Sequence, residues 1–230
     1  YSITNITSYL GNYKYMTPSN DKDVKSGVVN ILGYTPYGGI ILKCSANHYP
    51  GTSNIITTGS LGDSLKESAI IALSYIKENS KNFNIPYELF QDDIHLHIES
   101  GSIKKDGTSG GISLVTTLIS MFKNIPIPSG ISMSGEMTLR GKILPVSGLK
   151  EKLITASENG IKTVYLPKEN NMFFATTKGK TKYTDIDYSK MDEVFVLYGK
   201  ETKGLPEWLL EKYLNEKTIR IPMLPTLRSL

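Results

Sequence analysis

A single cysteine, Cys44, and a single tryptophan, Trp208, stand among the 230 residues. One thiol excludes an internal disulfide, cannot build a metal cluster alone, and suits a reducing compartment. Histidines are few: His48, His95 and His97 are all there are, and none lies beyond residue 97. Long apolar runs are missing too. Stretches such as GGIIL and AIIAL fall far short of the roughly 20 residues a membrane span requires, so no membrane partner is expected. The opening YSITNITSYLG has no basic region followed by an apolar core, so no signal peptide is visible in it. Asn5-Ile6-Thr7 fits a glycosylation acceptor, but nothing else in the chain gives a secretory context. Twenty-six basic residues against 22 acidic ones give a net charge of +4. The charges are scattered instead of gathered into a basic arm or stripe, so nucleic-acid binding is not expected.

What is present reads as a globular chain long enough for one substantial domain with extensions. Residues 1–26 are polar, end in SNDKDVKSG, and read as a lead-in or linker. GVVNILGY and GGIILKCSA flank Thr35-Pro36-Tyr37-Gly38-Gly39 and predict a hairpin. Leu61, Leu65, Ala69, Ala72, Leu73 and Ile76 recur at helical spacing. In DIHLHIE, Ile94, Leu96 and Ile98 alternate with His95, His97 and Glu99, the period of a half-buried strand. Ile112, Val115, Leu118, Ile119 and Phe122 form a second helical stripe. Strands are read at 131–139 and 142–146 around Arg140-Gly141. A third helix opens at Ser147, a plausible cap, and stops at Asn159-Gly160. IKTVYLP reads as a strand, followed by a polar loop, the short apolar pattern MDEVFVLY and a segment containing Trp208. Interleaved strands and helices make the fold class α/β or α+β.

Ser109 lies in KKDGTSGG, just ahead of the second stripe. It is either a helix cap or a nucleophile. Gly107-Thr108-Ser109-Gly110-Gly111 satisfies the G-x-S-x-G elbow of α/β hydrolases, but that fold places its histidine after the serine, and all three histidines precede it. A lysine can activate a serine instead if a desolvated setting keeps the amine neutral. In the third helix Leu149, Leu153 and Ala156 mark the inward stripe. At 100° per residue Lys152 lies about 60–70° from its centre and Lys150 about 90–100° away on the other flank. Lys152 is therefore the better candidate for burial, and Ser134 in MSGE is a hydroxyl available to orient it.

DGTSGG, MSGEMTLRGKILPVSGLKEK and GIKTVYLPKEN closely resemble the corresponding runs of Lon protease proteolytic domains. GSLGDSLKESAIIAL, DIHLHIESG and GVVNILGYTPYGGIIL match further family segments. The resemblance covers roughly residues 27–198 in continuous order, which makes 27–198 the expected proteolytic domain and 199–230 a C-terminal extension without an assigned role. Carried over by position, it implies Ser109 as nucleophile, Lys152 as its base, and Ser134 where threonine usually steadies the lysine. Backbone N–H groups at Ser109 and Gly110 would stabilise an oxyanion, and Asp106 would shape the loop. His95 and His97 read as a strand-edge pair, and Glu136 as a strand carboxylate or part of the site's electrostatics. Thr108, Gly110 and Ser147 depart from the usual proline, alanine and glycine.

The resemblance further implies a serine endopeptidase acting on unfolded or damaged polypeptides, belonging to an ATP-dependent enzyme that assembles as a hexameric ring. No G-x-x-x-x-G-K-[ST] phosphate loop occurs here, so no cofactor is expected on this chain and ATP only on a separate ATPase module. ITNITSYLG resembles the close of that module, so an excised proteolytic domain is expected. A stand-alone Lon-like enzyme that processes viral polyproteins and an inactive assembly module are the alternatives. The expected setting is intracellular and soluble, either cytoplasm or mitochondrial matrix.

Overall fold

The computed structural model describes residues 24–35, 38–168, 172–176, 178–191, 194–198, 205, 207, 210–211 and 217–220. Most of the lead-in, Pro36-Tyr37, Trp208 and the tail 221–230 lie outside these residues. The chain divides into two compact units, one ending at Pro167 and the other beginning at Lys168.

The first unit is built on a six-stranded sheet in the order β3-β4-β2-β1-β5-β8. Its strands are β1 (Val28–Thr35), β2 (Gly38–Tyr49), β3 (Ile55–Thr58), β4 (Asp93–Ile98), β5 (Ile131–Met133) and β8 (Thr163–Tyr165). The expected hairpin is present: β1 and β2 pair antiparallel from Val28 opposite Ser45 to Thr35 opposite Gly38. β4 runs antiparallel to β2, whereas β3, β5 and β8 pair in parallel with their neighbours β4, β1 and β5. Alternation in β4 sends Ile94, Leu96 and Ile98 into the core and leaves His95 and His97 half-buried on the other face.

Among the described residues this unit has four helices: α1 (Asp63–Glu78), the single turn α2 (Ser80–Phe83), α3 (Gly111–Lys123) and α4 (Leu149–Glu158). All six apolar residues of the first stripe are buried, Leu61 just ahead of α1 and the rest within it. They meet Leu114, Val115 and Leu118 of α3 above the sheet. Burial of each Leu, Ile or Val side chain among them contributes about 1.5–3 kcal/mol, so the α1–α3–sheet contact is a major stabilising layer.

α3 differs from its expected one-sided stripe, because Ser113, Thr117 and Ser120 are buried as well. Ser113 Oγ donates to the Met133 carbonyl at 3.1 Å, Thr117 Oγ1 to the Ser113 carbonyl at 2.7 Å and Ser120 Oγ to the Ile125 carbonyl at 2.5 Å. Satisfied hydroxyls can be enclosed at little cost, which makes α3 a central helix covered nearly all round.

Two local expectations are corrected. The strand read at 131–139 breaks at Ser134-Gly135: β5 stays in the sheet, while β6 (Glu136–Met137) turns away to pair with β7 (Ile143–Leu144). The break falls where the backbone is used by other segments, Gly135 N–H by the Ser109 carbonyl and Gly135 C=O by Ile112 N–H. Ser147 is exposed and does not cap α4; the preceding residue of the helix is Gly148 in the left-handed region, φ 68°. The expected stop holds, with Ile161 N–H donating to the Ala156 carbonyl at 2.9 Å past Gly160.

The second unit contains a four-stranded parallel sheet in the order β10-β12-β9-β11, formed by β9 (Met172–Ala175), β10 (Thr181–Lys182), β11 (Phe195–Tyr198) and β12 (Thr218–Arg220). β9 and β10 occupy the stretch read from sequence as a polar loop.

Candidate active site

Ser109 sits in the single 3-10 turn Thr108–Gly110 that leads directly into α3. Two glycines allow this approach. Gly107 adopts φ 108°, which side-chain-bearing residues rarely do, and a Cβ on Gly111 would lie 2.7 Å from Met137 N. Behind the turn, Gly135 N–H donates to the Ser109 carbonyl at 2.9 Å and Ile112 N–H to the Gly135 carbonyl at 3.1 Å. The nucleophile candidate is thus tied to the β5–β6 break by two backbone bonds.

α4 brings Lys152 to the same place. Its side chain is only 2% exposed, while Lys150 is exposed. The helix is anchored by packing against β2 and β1. Lys152 Nζ donates to Ser134 Oγ at 3.1 Å, and Ser134 Oγ donates to the Ser109 carbonyl at 3.4 Å. Ser134 is fully buried and Ser109 half-buried. The three residues singled out in the sequence therefore converge, although they come from the turn before α3, the β5–β6 break and α4.

Asp106 is exposed and accepts from Gly107 N–H at 2.8 Å and from Leu65 N–H at 3.3 Å. The Gly107 bond in the first place, then those from Leu65 and Ser64 and the charge of Lys104, outweigh partial burial and hold its carboxyl below the usual carboxylate range. Gly62, which precedes α1, offers no capping side chain. Asp106 supplies that acceptor from another segment and ties the Ser109 loop to α1. Thr108 Oγ1 donates to Glu136 Oε2 at 2.5 Å, a tether that the proline usual at this position could not make. Gly110 is buried at the start of the helical run.

The site opens on a cleft of about 390 Å³. Its apolar wall includes Tyr34, Ile40, Leu42, Ile103, Pro145 and Val146, and Ser109, Lys152, Asp106 and Glu136 supply polar groups. His95 and His97 do not line it. Thr58 Oγ1 lies 3.0 Å from His95 Nε2 and 2.8 Å from His97 Nδ1; this network lies on the sheet face and not at the strand edge read from the sequence, because β4 runs between β3 and β2. Cys44 is fully buried, and desolvation, only partly offset by a bond from Thr117, pushes its thiol up to about 12. Such a thiol is inert at neutral pH. Among the described residues no group of three or more His, Cys, Asp or Glu side chains could hold a metal ion, and no helix is long and apolar enough to cross a membrane.

One buried residue gives no sign in the sequence. Lys105 is 6% exposed yet lies in an irregular loop where no periodicity marks it.

The family model of the Lon protease (S16) C-terminal proteolytic domain matches residues 2–196. The chain is 44% identical over 167 residues to a Lon protease of Rickettsia bellii, a match covering 72% of this chain and 22% of the relative. It is 43% identical over 167 residues to a Lon protease of Aster yellows witches'-broom phytoplasma, covering 72% and 21%. With a Lon protease of Mycoplasma mobile the identity is 39% over 199 residues, covering 85% and 24%. The matches span roughly a fifth to a quarter of the length of these curated relatives. With the family model extending over most of its length, the chain belongs to the Lon protease (S16) C-terminal proteolytic domain family.

Proposed function

We propose that the chain hydrolyses peptide bonds with Ser109 as nucleophile and Lys152 as its general base. The observation that carries this reading is the buried Lys152 amine, bonded to Ser134 Oγ, which in turn reaches the Ser109 carbonyl. Only a neutral amine can accept the serine proton, and enclosure away from water is the general means of keeping an amine neutral. Ser134 orients Lys152. The proton passes from Ser109 Oγ to Lys152 Nζ as Oγ attacks the scissile carbonyl. It then goes to the departing amine, leaving an acyl-enzyme that water hydrolyses through the same base. N–H groups of Ser109 and Gly110, at the opening turn of α3, stabilise the oxyanion. The apolar cleft wall suits a substrate that offers hydrophobic side chains, as unfolded or damaged polypeptides do.

The relatives are several times longer than their matched part. This fits a proteolytic domain that works with a separate ATPase module in a hexameric ring, with ATP bound by that module and not by this chain. A reducing, intracellular setting agrees with the single, buried cysteine.

Hydrolysis of a fluorogenic peptide and of an unfolded protein by wild type, Ser109→Ala and Lys152→Ala tests the reading. Each substitution is expected to lower kcat by about 10³-fold or more. If wild type is inactive alone, the same comparison is made with the ATPase module supplied. Equal turnover by the three proteins would refute the dyad.

A further inference from the structure

Two lysines are buried among the described residues, Lys152 and Lys105, and the reaction uses only the first. Lys105 Nζ donates to the carbonyls of Gly59 at 2.6 Å, Ser100 at 2.6 Å and Ile103 at 2.9 Å. Three acceptors saturate the three hydrogens of an ammonium. Among the described residues no carboxylate oxygen lies within ion-pair distance of it, so carbonyl dipoles alone balance its charge.

The backbone around these acceptors has unusual turns. Gly59 adopts φ 106°, and Ser60 and Ser100 lie in the left-handed region at φ 57° and 66°, where residues with side chains are uncommon. These turns aim carbonyls at one point, an arrangement that is repulsive unless a cation fills it. The main chain of Lys105 is held as well: its N–H donates to the Ser60 carbonyl at 3.0 Å, and its carbonyl accepts from Gly62 N–H at 2.6 Å. The next residue, Asp106, reaches the first turn of α1, and Ser109 follows three positions later.

We propose that Lys105 is a positioning residue for the nucleophile, its ammonium gripping three carbonyls to fix the near end of the loop that carries Ser109. The far end is fixed by Gly135 through Ser109 and Ile112. With both ends held, the turn cannot drift relative to Lys152. This inference rests on the Ser109–Lys152 reading and adds an opposite requirement: Lys105 keeps its proton, while Lys152 must be able to lose one. Burial weakens Lys105's hold on that proton, but with every hydrogen donated it has no lone pair to offer Ser109. It therefore cannot stand in as the base.

Lys105→Met and Lys105→Arg in the whole chain test the inference through peptide turnover and the rate at which a fluorophosphonate probe labels Ser109. Lys105→Met is expected to lower kcat and labelling by about 10- to 100-fold, with KM within about twofold of wild type. The midpoint of the acid limb of the pH–rate profile, which belongs to Lys152, stays in place. Lys105→Arg, which keeps the charge, retains more activity than Lys105→Met. A Lys105→Met protein with kcat within about twofold of wild type would overturn the inference. So would a displaced acid limb, since Lys105 would then be taking part in proton transfer. Should Lys105→Met not fold, nitrogen-15 NMR of lysine amines in the wild type decides: a slowly exchanging ammonium signal from Lys105 at neutral pH supports the cage, and a neutral or rapidly exchanging amine sinks it. The dyad reading fails separately if Lys152→Ala keeps wild-type turnover, whatever the Lys105 variants do.

Discussion

Gly110 is the position at which this chain can be improved. Its backbone, φ −83° and ψ −5°, is open to any residue, and a Cβ there would meet Leu65 Cδ1 at 3.4 Å and Ile31 Cγ2 at 3.8 Å. Both are ordinary van der Waals contacts at a buried site. Gly110→Ala therefore adds one buried methyl group, contributing about 0.8 kcal/mol. It also removes unfolded-state freedom that contributes about 0.4–1 kcal/mol. Discounting for residual burial in the unfolded chain, the net stabilisation expected is about 1–1.5 kcal/mol, equivalent to about 2–6 °C in Tm. Alanine is the residue usual here in the family resemblance, so turnover should be kept. Urea unfolding should show a higher midpoint at unchanged slope. The neighbouring Gly111→Ala is the control. Its Cβ would lie 2.7 Å from Met137 N and 2.9 Å from Met137 Cβ, backbone that cannot yield without straining the Ile112–Gly135 bond, so it should cost about 1–3 kcal/mol. A Gly110→Ala protein less stable than wild type, or a Gly111→Ala protein as stable as wild type, would refute this account of the turn.

Ser134→Ala removes the hydroxyl from Lys152 and should lower kcat by about 10- to 100-fold with little change in KM, measured with a fluorogenic peptide. With Lys152 as the proposed base, only its neutral amine can act, so kcat/KM should rise between about pH 6 and 9; a flat profile would count against it. Asp106 has a folded-state carboxyl depressed chiefly by the Gly107 N–H bond, so its contribution to stability is present above its unfolded value and lost as pH falls through the folded one. Asp106→Asn should therefore be less stable than wild type at neutral pH, with the difference closing in strong acid; unfolding curves that stay parallel at every pH would contradict the cap. Cys44, pushed up to about 12, should not react with a thiol reagent in the native protein and should react fully in denaturant.

The first unit was largely legible because its elements bury one face each. The α1 stripe, the β4 alternation and the β1–β2 hairpin all follow from period and turn residues, and each is where the sequence puts it. α3 was harder because its hydroxyl residues look like a solvent face until Met133, Ser113 and Ile125 are seen to accept their hydrogens. The second unit was mostly illegible. Its short strands pair in parallel across long separations, β9 with β12 for example, and nothing within four residues such as MFFA distinguishes a strand from an apolar break in a loop.

The two buried lysines show where the boundary of such reading lies. Lys152 is on a helix, so its burial could be argued from its angle to the stripe of Leu149, Leu153 and Ala156; Leu149 and Ala156 are buried with it, while Leu153 is only half-buried. Lys105 is in a loop, where burial depends on other segments folding over it: Gly59 and Ser60 from the β3–α1 connection, Ser100 and Ile103 from the segment after β4. Helical geometry places the Lys152 amine in a buried setting beside Ser134 Oγ, and enclosure away from water generally disfavours an amine's charged form. Converging carbonyls do the reverse and hold a charge in place. The same side chain, four residues before the proposed nucleophile Ser109 in one case and on α4 in the other, is on this proposal set to opposite tasks by its surroundings. That division makes the pair separable by experiment, because removing Lys105 should change how often Ser109 is in place but not the pH at which it is activated.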